Sequence, residues 1–163
     1  MADMQNIFHA FWTWYERHER LGVTVATFLF LWQLVHLLWL TTDVVIVRLF
    51  GTEPILTSSF AQLLIAIVDY TEIPALIATS LVYLNDIRKG TAVWRSVGYL
   101  ILLNSQWVHL FWITDEFVVH SLVQGHTSSF SPALAWVAIG IDYLELPVMI
   151  NVTSRWLRSL ARH

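Results

Sequence analysis

Cysteine is absent from this 163-residue chain. Its absence excludes thiolate metal sites, cysteine-ligated iron–sulfur clusters, disulfides and a cysteine nucleophile. Charged residues are also scarce, at 13% against 56% hydrophobic residues. The few basic residues sit at the ends of apolar segments and form no basic patch, so we expect no nucleic-acid partner. This composition is typical of a polytopic membrane protein in contact with the lipid bilayer.

Four long apolar segments account for most of the chain, at roughly 21–47, 56–85, 94–119 and 131–156. Each is longer than the about 20 helical residues that cross a hydrocarbon core. Short polar pieces rich in turn-forming residues separate them. Residues 1–19 differ, because their apolar side chains recur at helical spacing among polar ones and the stretch is too short to span. We expect an amphipathic helix that lies in the membrane interface.

The basic residues predict the orientation of the chain. Of nine lysines and arginines, only Arg48 falls between the first and second or the third and fourth apolar segments. The other eight lie at the opposite end of the four segments: before the first, around the junction of the second and third, and near the end of the fourth. The positive-inside rule therefore predicts that both termini are cytoplasmic.

An internal repeat appears when the sequence is shifted by 73 positions. "QLVHLLWLTTDVV" at 33–45 then meets "QWVHLFWITDEFV" at 106–118, and "DYTEIPALI" at 69–77 meets "DYLELPVMI" at 142–150. The repeat unit is one helical hairpin, with copies at 20–90 and 93–163. We therefore predict an all-α integral membrane four-helix bundle made of two tandem hairpins, with a single domain at 20–163. Their pseudo-two-fold axis should run along the membrane normal, as in parallel repeats.

Each hairpin carries polar residues near the middle of its apolar segments. They occur in pairs three residues apart, a spacing that places both side chains on one helix face. That face must point into the bundle, because a charge facing lipid costs several kcal/mol or more. The midplane residues are His36, Asp69 and Glu72 in the first repeat and His109, Asp142 and Glu145 in the second.

The chemistry of these six residues predicts a dinuclear metal site. Four carboxylates in a low-dielectric bundle need protons, basic partners or cations, and no lysine or arginine lies at that depth. Two divalent ions would neutralise them. The set of two histidines and four carboxylates equals that of soluble di-iron and di-manganese bundles, so we expect iron first, with manganese or zinc as alternatives.

Neighbouring polar residues are predicted to support the site. Gln33 and Gln106 would be second-shell or substrate-binding groups. Tyr70 and Tyr143 would assist electron or proton transfer, or simply pack between helices. Two other interpretations of the cluster stay open: a proton-sharing carboxyl–histidine network without metal, and a haem or chlorophyll with the two histidines as axial ligands.

Three functions fit this pattern. The first is an oxidoreductase that acts on a lipid-soluble substrate such as a quinone. The second is a cation or proton pathway, in which Asp43, Asp115 and Glu116 form an outer vestibule instead of merely capping helices. The third is a small cofactor-binding or structural subunit of a larger membrane complex.

Overall fold

The computed structural model describes residues 2–119 and 131–161, apart from the side chains at 2–4, 59, 62, 116–118 and 132. Within these ranges the chain is all-helical and contains no strand. This confirms the all-α class that the apolar periodicity predicts.

Eight α-helices, two π-helical segments and one 3₁₀ turn follow one another along the described chain. The helices are α1 (Ala2–Arg17), α2 (Glu19–Trp39), α3 (Ile46–Phe50), α4 (Ser59–Tyr70), α5 (Glu72–Arg88), α6 (Val93–Ile113), α7 (Pro132–Asp142) and α8 (Leu146–Leu160). The π-helical segments are Leu40–Val45, between α2 and α3, and Thr114–Val119, after α6. The 3₁₀ turn Tyr143–Glu145 joins α7 to α8.

Three of the continuous helical stretches are long and apolar enough to cross a membrane: Glu19–Phe50, Leu63–Arg88 and Ala133–Leu160. The third predicted segment also forms a helix, α6, but it is not one of these three. Its mean hydropathy is lowered by Asn104, Ser105, Gln106 and His109, which fall within six residues of one another. The membrane character of the fold therefore rests on the other three stretches.

The helices pack so that a polar layer lies between two apolar clusters. α2 contacts α4, α5 and α8, while α6 contacts α5, α7 and α8. One cluster, around Phe30, Leu76 and Leu103, fills the end nearer α1, and the other, around Leu40 and Trp112, fills the opposite end. Apolar packing on both sides shields the residues in between from water.

Both copies of the Asp-x-x-Glu motif interrupt their helix. In the first copy α4 ends at Tyr70 and α5 begins at Glu72, with Thr71 between them. In the second copy the 3₁₀ turn replaces the regular helix. Pro74 and Pro147 lack the N–H that would bond to the carbonyl four residues earlier, which explains why the helix breaks there.

The amphipathic α1 is anchored to the rest of the chain by aromatic packing and ion pairs. Trp12 and Tyr15 are buried, and Glu16 pairs with Arg88, whose guanidinium lies 5.0 Å from the ring centroid of Trp12. Burial, together with the charges of Glu19 and Asp86, raises the pKa of Tyr15 to about 12. Its hydroxyl therefore stays protonated at physiological pH.

Candidate metal centre

Two histidines from different repeats meet in the polar layer. The rings of His36 on α2 and His109 on α6 have centroids 5.3 Å apart and planes inclined by 73°. Both side chains are buried, at 2% and 0% exposure. The structure thus brings together the two histidines that the repeat relates to one another.

His36 lies between two carboxylates. Its Nδ1 contacts Asp69, at the end of α4, and its Nε2 is 3.3 Å from Oδ2 of Asp142, at the end of α7. Both aspartates are buried. His36 therefore links the aspartates at the ends of α4 and α7.

His109 makes a different set of contacts. Its Nδ1 is 3.3 Å from the carbonyl oxygen of Ala138, and because a carbonyl only accepts, this nitrogen carries the proton. Its Nε2 lies 3.5 Å from Oδ1 of Asp142. The backbone bond fixes the ring so that Nε2 faces the polar layer, the usual arrangement of a metal-ligating histidine.

Together, His36, His109 and Asp142 form a compact set of potential ligands. One ligand atom from each lies within 4.8 Å of the others, and all three residues are buried. A nitrogen-rich set with one carboxylate suits zinc, iron or manganese.

The two glutamates of the motif are buried beside this set. Glu72 and Glu145 are 3% and 1% exposed, and Glu72 interacts electrostatically with Glu145, Asp142 and His36. One carboxylate oxygen of each glutamate has no hydrogen-bond partner among the described residues. A buried acceptor without a partner is costly, so these oxygens are suited to accept a proton or a cation.

Gln33 and Gln106 hold the helix ends that carry the aspartates. The Nε2 of Gln33 donates to the carbonyl of Val68 at 3.1 Å, and that of Gln106 donates to the carbonyl of Ile141 at 2.9 Å. Each carbonyl belongs to the residue before an aspartate. The two glutamines are therefore placed to orient Asp69 and Asp142 from behind, which is where second-shell groups act.

The tyrosines bond to threonines in the other repeat. Tyr143 shares a 2.7 Å hydrogen bond with Thr41, and Tyr70 shares a 3.0 Å hydrogen bond with Thr114. The threonines recur at the 73-residue offset, so this signal was present in the sequence although their pairing with tyrosines was not foreseen. Since each bond joins residues far apart in the sequence, the tyrosines stabilise the packing between their helices.

Of the predicted outer vestibule, Asp43 has a clear structural role. It is buried, and its carboxylate accepts hydrogen bonds of 2.6 Å from the Leu56 amide and from the Thr42 hydroxyl. It thereby fixes the loop between α3 and α4. Asp115 is half-buried, and the Glu116 side chain lies outside the described part of the structure.

Comparison of the chain with protein-family models, curated proteins and solved structures gives no match. The assignment of function therefore depends on the geometry of the polar layer alone.

Proposed function

We propose that the protein is an integral membrane metalloprotein whose buried layer binds two divalent metal ions for redox chemistry on a lipid-soluble substrate. His36, His109 and Asp142 would hold the first ion. Asp69, Glu72 and Glu145 would complete the dinuclear centre, with the two glutamates bridging. Iron or manganese bound there would supply one-electron exchange with a substrate such as a quinone.

The observation that carries this proposal is the orientation of His109. A backbone carbonyl occupies its Nδ1, while its Nε2 faces a buried carboxylate and a second histidine. In a purely structural histidine both nitrogens would be expected to find hydrogen-bond partners, but Nε2 makes no hydrogen bond within the described chain. A cation at this position would satisfy it.

Charge neutrality supports a second ion. Four ionised carboxylates carry about −4, and burial of uncompensated charge is strongly unfavourable. One divalent ion and neutral histidines would leave about −2, whereas two divalent ions leave a neutral centre. In this arrangement the two glutamines would orient the aspartates, and Tyr70 and Tyr143 would assist electron or proton transfer.

The proposed bundle has four transmembrane helices, with α6 as the fourth. Its support is the pattern of neighbours, because α2 and α6 each contact both α5 and α8. The paired glutamine–carbonyl and tyrosine–threonine bonds, which recur at the same offset, support the tandem repeat. Inside the membrane, α6 would turn its polar residues toward the other three helices.

The test of the dinuclear centre is elemental analysis of purified protein. In the Glu72→Gln, Glu145→Gln double variant, metal content should fall by about tenfold or more, because the amide keeps the size but loses the bridging charge. Both ions should be lost together. The Ser154→Ala variant is the control, since its hydroxyl bonds within α8 outside the cluster. Full metal content in the double variant, or no metal in wild-type protein, would contradict the proposal.

The orientation of the chain can be tested by labelling introduced cysteines. The natural chain has none, so Thr52→Cys and Lys89→Cys each create a single reactive site at opposite ends of the bundle, and both positions are exposed. With both termini cytoplasmic, a membrane-impermeant maleimide added to intact cells should label Thr52→Cys and leave Lys89→Cys unlabelled. The reverse pattern would show that the termini face outward.

A proton pathway is the second candidate function. It is favoured by the position of His36 between two carboxylates, which is the geometry of a proton relay. Proton flux into liposomes that persists in metal-free protein, and is abolished by His36→Gln, would favour this function over the metal centre.

A further inference from the structure

A cavity lined by charged side chains lies at the end of the molecule where the basic residues concentrate, far along α2 from the histidines. Its volume is about 950 Å³, and it is bounded by the junction of α1 with α2, the end of α5, the turn before α6 and the last turns of α8. Nothing in the proposed metal chemistry uses this cavity.

The acidic side chains of the cavity are already paired. Asp86 accepts from Arg155 at 2.6 Å and from Ser96 at 3.2 Å. Glu19 pairs with Lys89 at 2.7 Å, and Glu16 pairs with Arg88. These ion pairs use basic residues from two neighbouring helices to neutralise the carboxylates that line the cavity.

Two further arginines line the same cavity outside those pairs. Arg17 approaches it from α1 and Arg158 approaches it from α8. Because the three acids pair with Arg155, Lys89 and Arg88, Arg17 and Arg158 add positive charge to the lining. Guanidinium groups from two different helices beside one space are suited to a phosphate group.

An apolar groove adjoins the charged cavity. It has a volume of about 200 Å³ and shares His18 and Leu21 with the cavity, and most of its lining side chains are apolar. It runs between α1, α2 and α5, where Val25 and Ala78 form part of its wall. At Gly22, a Cβ atom would come within 3.0 Å of the Tyr15 hydroxyl, so glycine allows α1 to pack close to α2 here.

We propose that the cavity and the groove together form a binding site for an anionic phospholipid. The headgroup phosphate would lie beside Arg17 and Arg158, and one acyl chain would occupy the groove beneath α1. Basic pockets between helices at the cytoplasmic side are the expected place for acidic lipid headgroups. A free phosphate or soluble phosphate ester would contact the arginines but would leave the adjoining apolar groove unoccupied.

The experiment is native mass spectrometry of the full chain in a neutral detergent, with phosphatidylglycerol or phosphatidylcholine added at equal concentration. Wild-type protein should retain phosphatidylglycerol about tenfold more than phosphatidylcholine. In the Arg17→Gln, Arg158→Gln double variant that preference should fall by about tenfold, because two charges that attract the headgroup are lost. Arg95→Gln is the matched control: Arg95 lies at the same end but bonds to Tyr99 on its own helix.

A second variant separates lipid from free phosphate. Ala78→Phe should fill the groove and reduce phosphatidylglycerol retention while leaving the arginines in place. Stabilisation by inorganic phosphate is measured in parallel as a thermal shift. Equal retention of the two lipids by wild-type protein would overturn the proposal without any variant. The proposal would also be overturned if inorganic phosphate stabilised the protein as strongly as the lipid does and Ala78→Phe left phosphatidylglycerol retention unchanged. Metal content measured on the same samples keeps this outcome independent of the proposed metal centre.

Discussion

Replacing His36 with alanine is expected to empty mainly one of the two metal positions and so to lower the metal content of the purified protein by about half. Loss of a second-shell partner alone typically costs 10- to 100-fold in metal affinity, and removal of a direct ligand costs at least as much. His36 is also the residue that joins Asp69 to Asp142. Its loss would remove one ligand and leave two buried carboxylates without their shared partner.

Metal analysis of Asn151→Ala provides the control for this variant. Asn151 is a buried polar residue that accepts a 3.2 Å hydrogen bond from Tyr83, away from the cluster. Its loss should lower stability without lowering metal content. Adding imidazole to His36→Ala should partly restore the metal if the cavity is otherwise intact. Undiminished metal in His36→Ala would rule out His36 as a ligand.

Replacing Asp142 with asparagine should have a larger effect than replacing Asp69. Asp142 lies near both histidines, at 3.3 Å from His36 and 3.5 Å from His109. Among the ion pairs of the described residues, Asp69 takes part in one, with His36. Removing one partner from a buried charge pair costs about 3–5 kcal/mol. We expect a loss of this order in Asp142→Asn and a smaller loss in Asp69→Asn.

The two aspartate variants are matched controls for each other, because they make the same chemical change at positions related by the repeat. Denaturation in detergent and elemental analysis should rank them in the same order, with Asp142→Asn more impaired. Equal losses in both measurements would mean that the layer is symmetric in solution and that the unequal contacts of Asp142 do not determine its importance.

Much of the polar layer could be predicted from the sequence. The 73-residue offset pairs His36 with His109, and the i, i+3 spacing directs the acidic residues inward. The helix interruptions lie beside the proline that follows each acidic motif. Helical periodicity and proline geometry are local properties of the chain, so the sequence alone indicates both features.

The unequal roles of the two aspartates could not be predicted in this way. Side-chain orientation depends on neighbours that the repeat does not share: Thr71 gives Gln33 a second partner at 3.0 Å, whereas Leu144 occupies the equivalent position in the second repeat. Likewise, Ala138 offers a carbonyl to His109, but the equivalent residue, Ile65, has no such contact with His36. Small differences in packing thus determine which way each ring turns.

The assignment of α6 shows another limit of the sequence. A window of about 20 residues suffices to predict a helix there, and a helix is what the structure contains. Hydropathy alone, however, does not separate a membrane span with a polar inward face from a helix packed against the other three. The polar residues that identify the site are the same ones that weaken the hydropathy signal.

The irregular turns near the polar layer have a mechanical consequence. π-helical segments follow both histidine helices, at Leu40–Val45 and Thr114–Val119, and the helices that carry the aspartates break at Thr71 and at Tyr143–Glu145. Such departures from the α-helix are points where a helix can bend while retaining most of its backbone hydrogen bonds. Because all of them fall at or just beyond the polar layer, the helices can bend close to the histidines. Bending at these points would open a path to the buried histidines without unfolding the remaining helical turns.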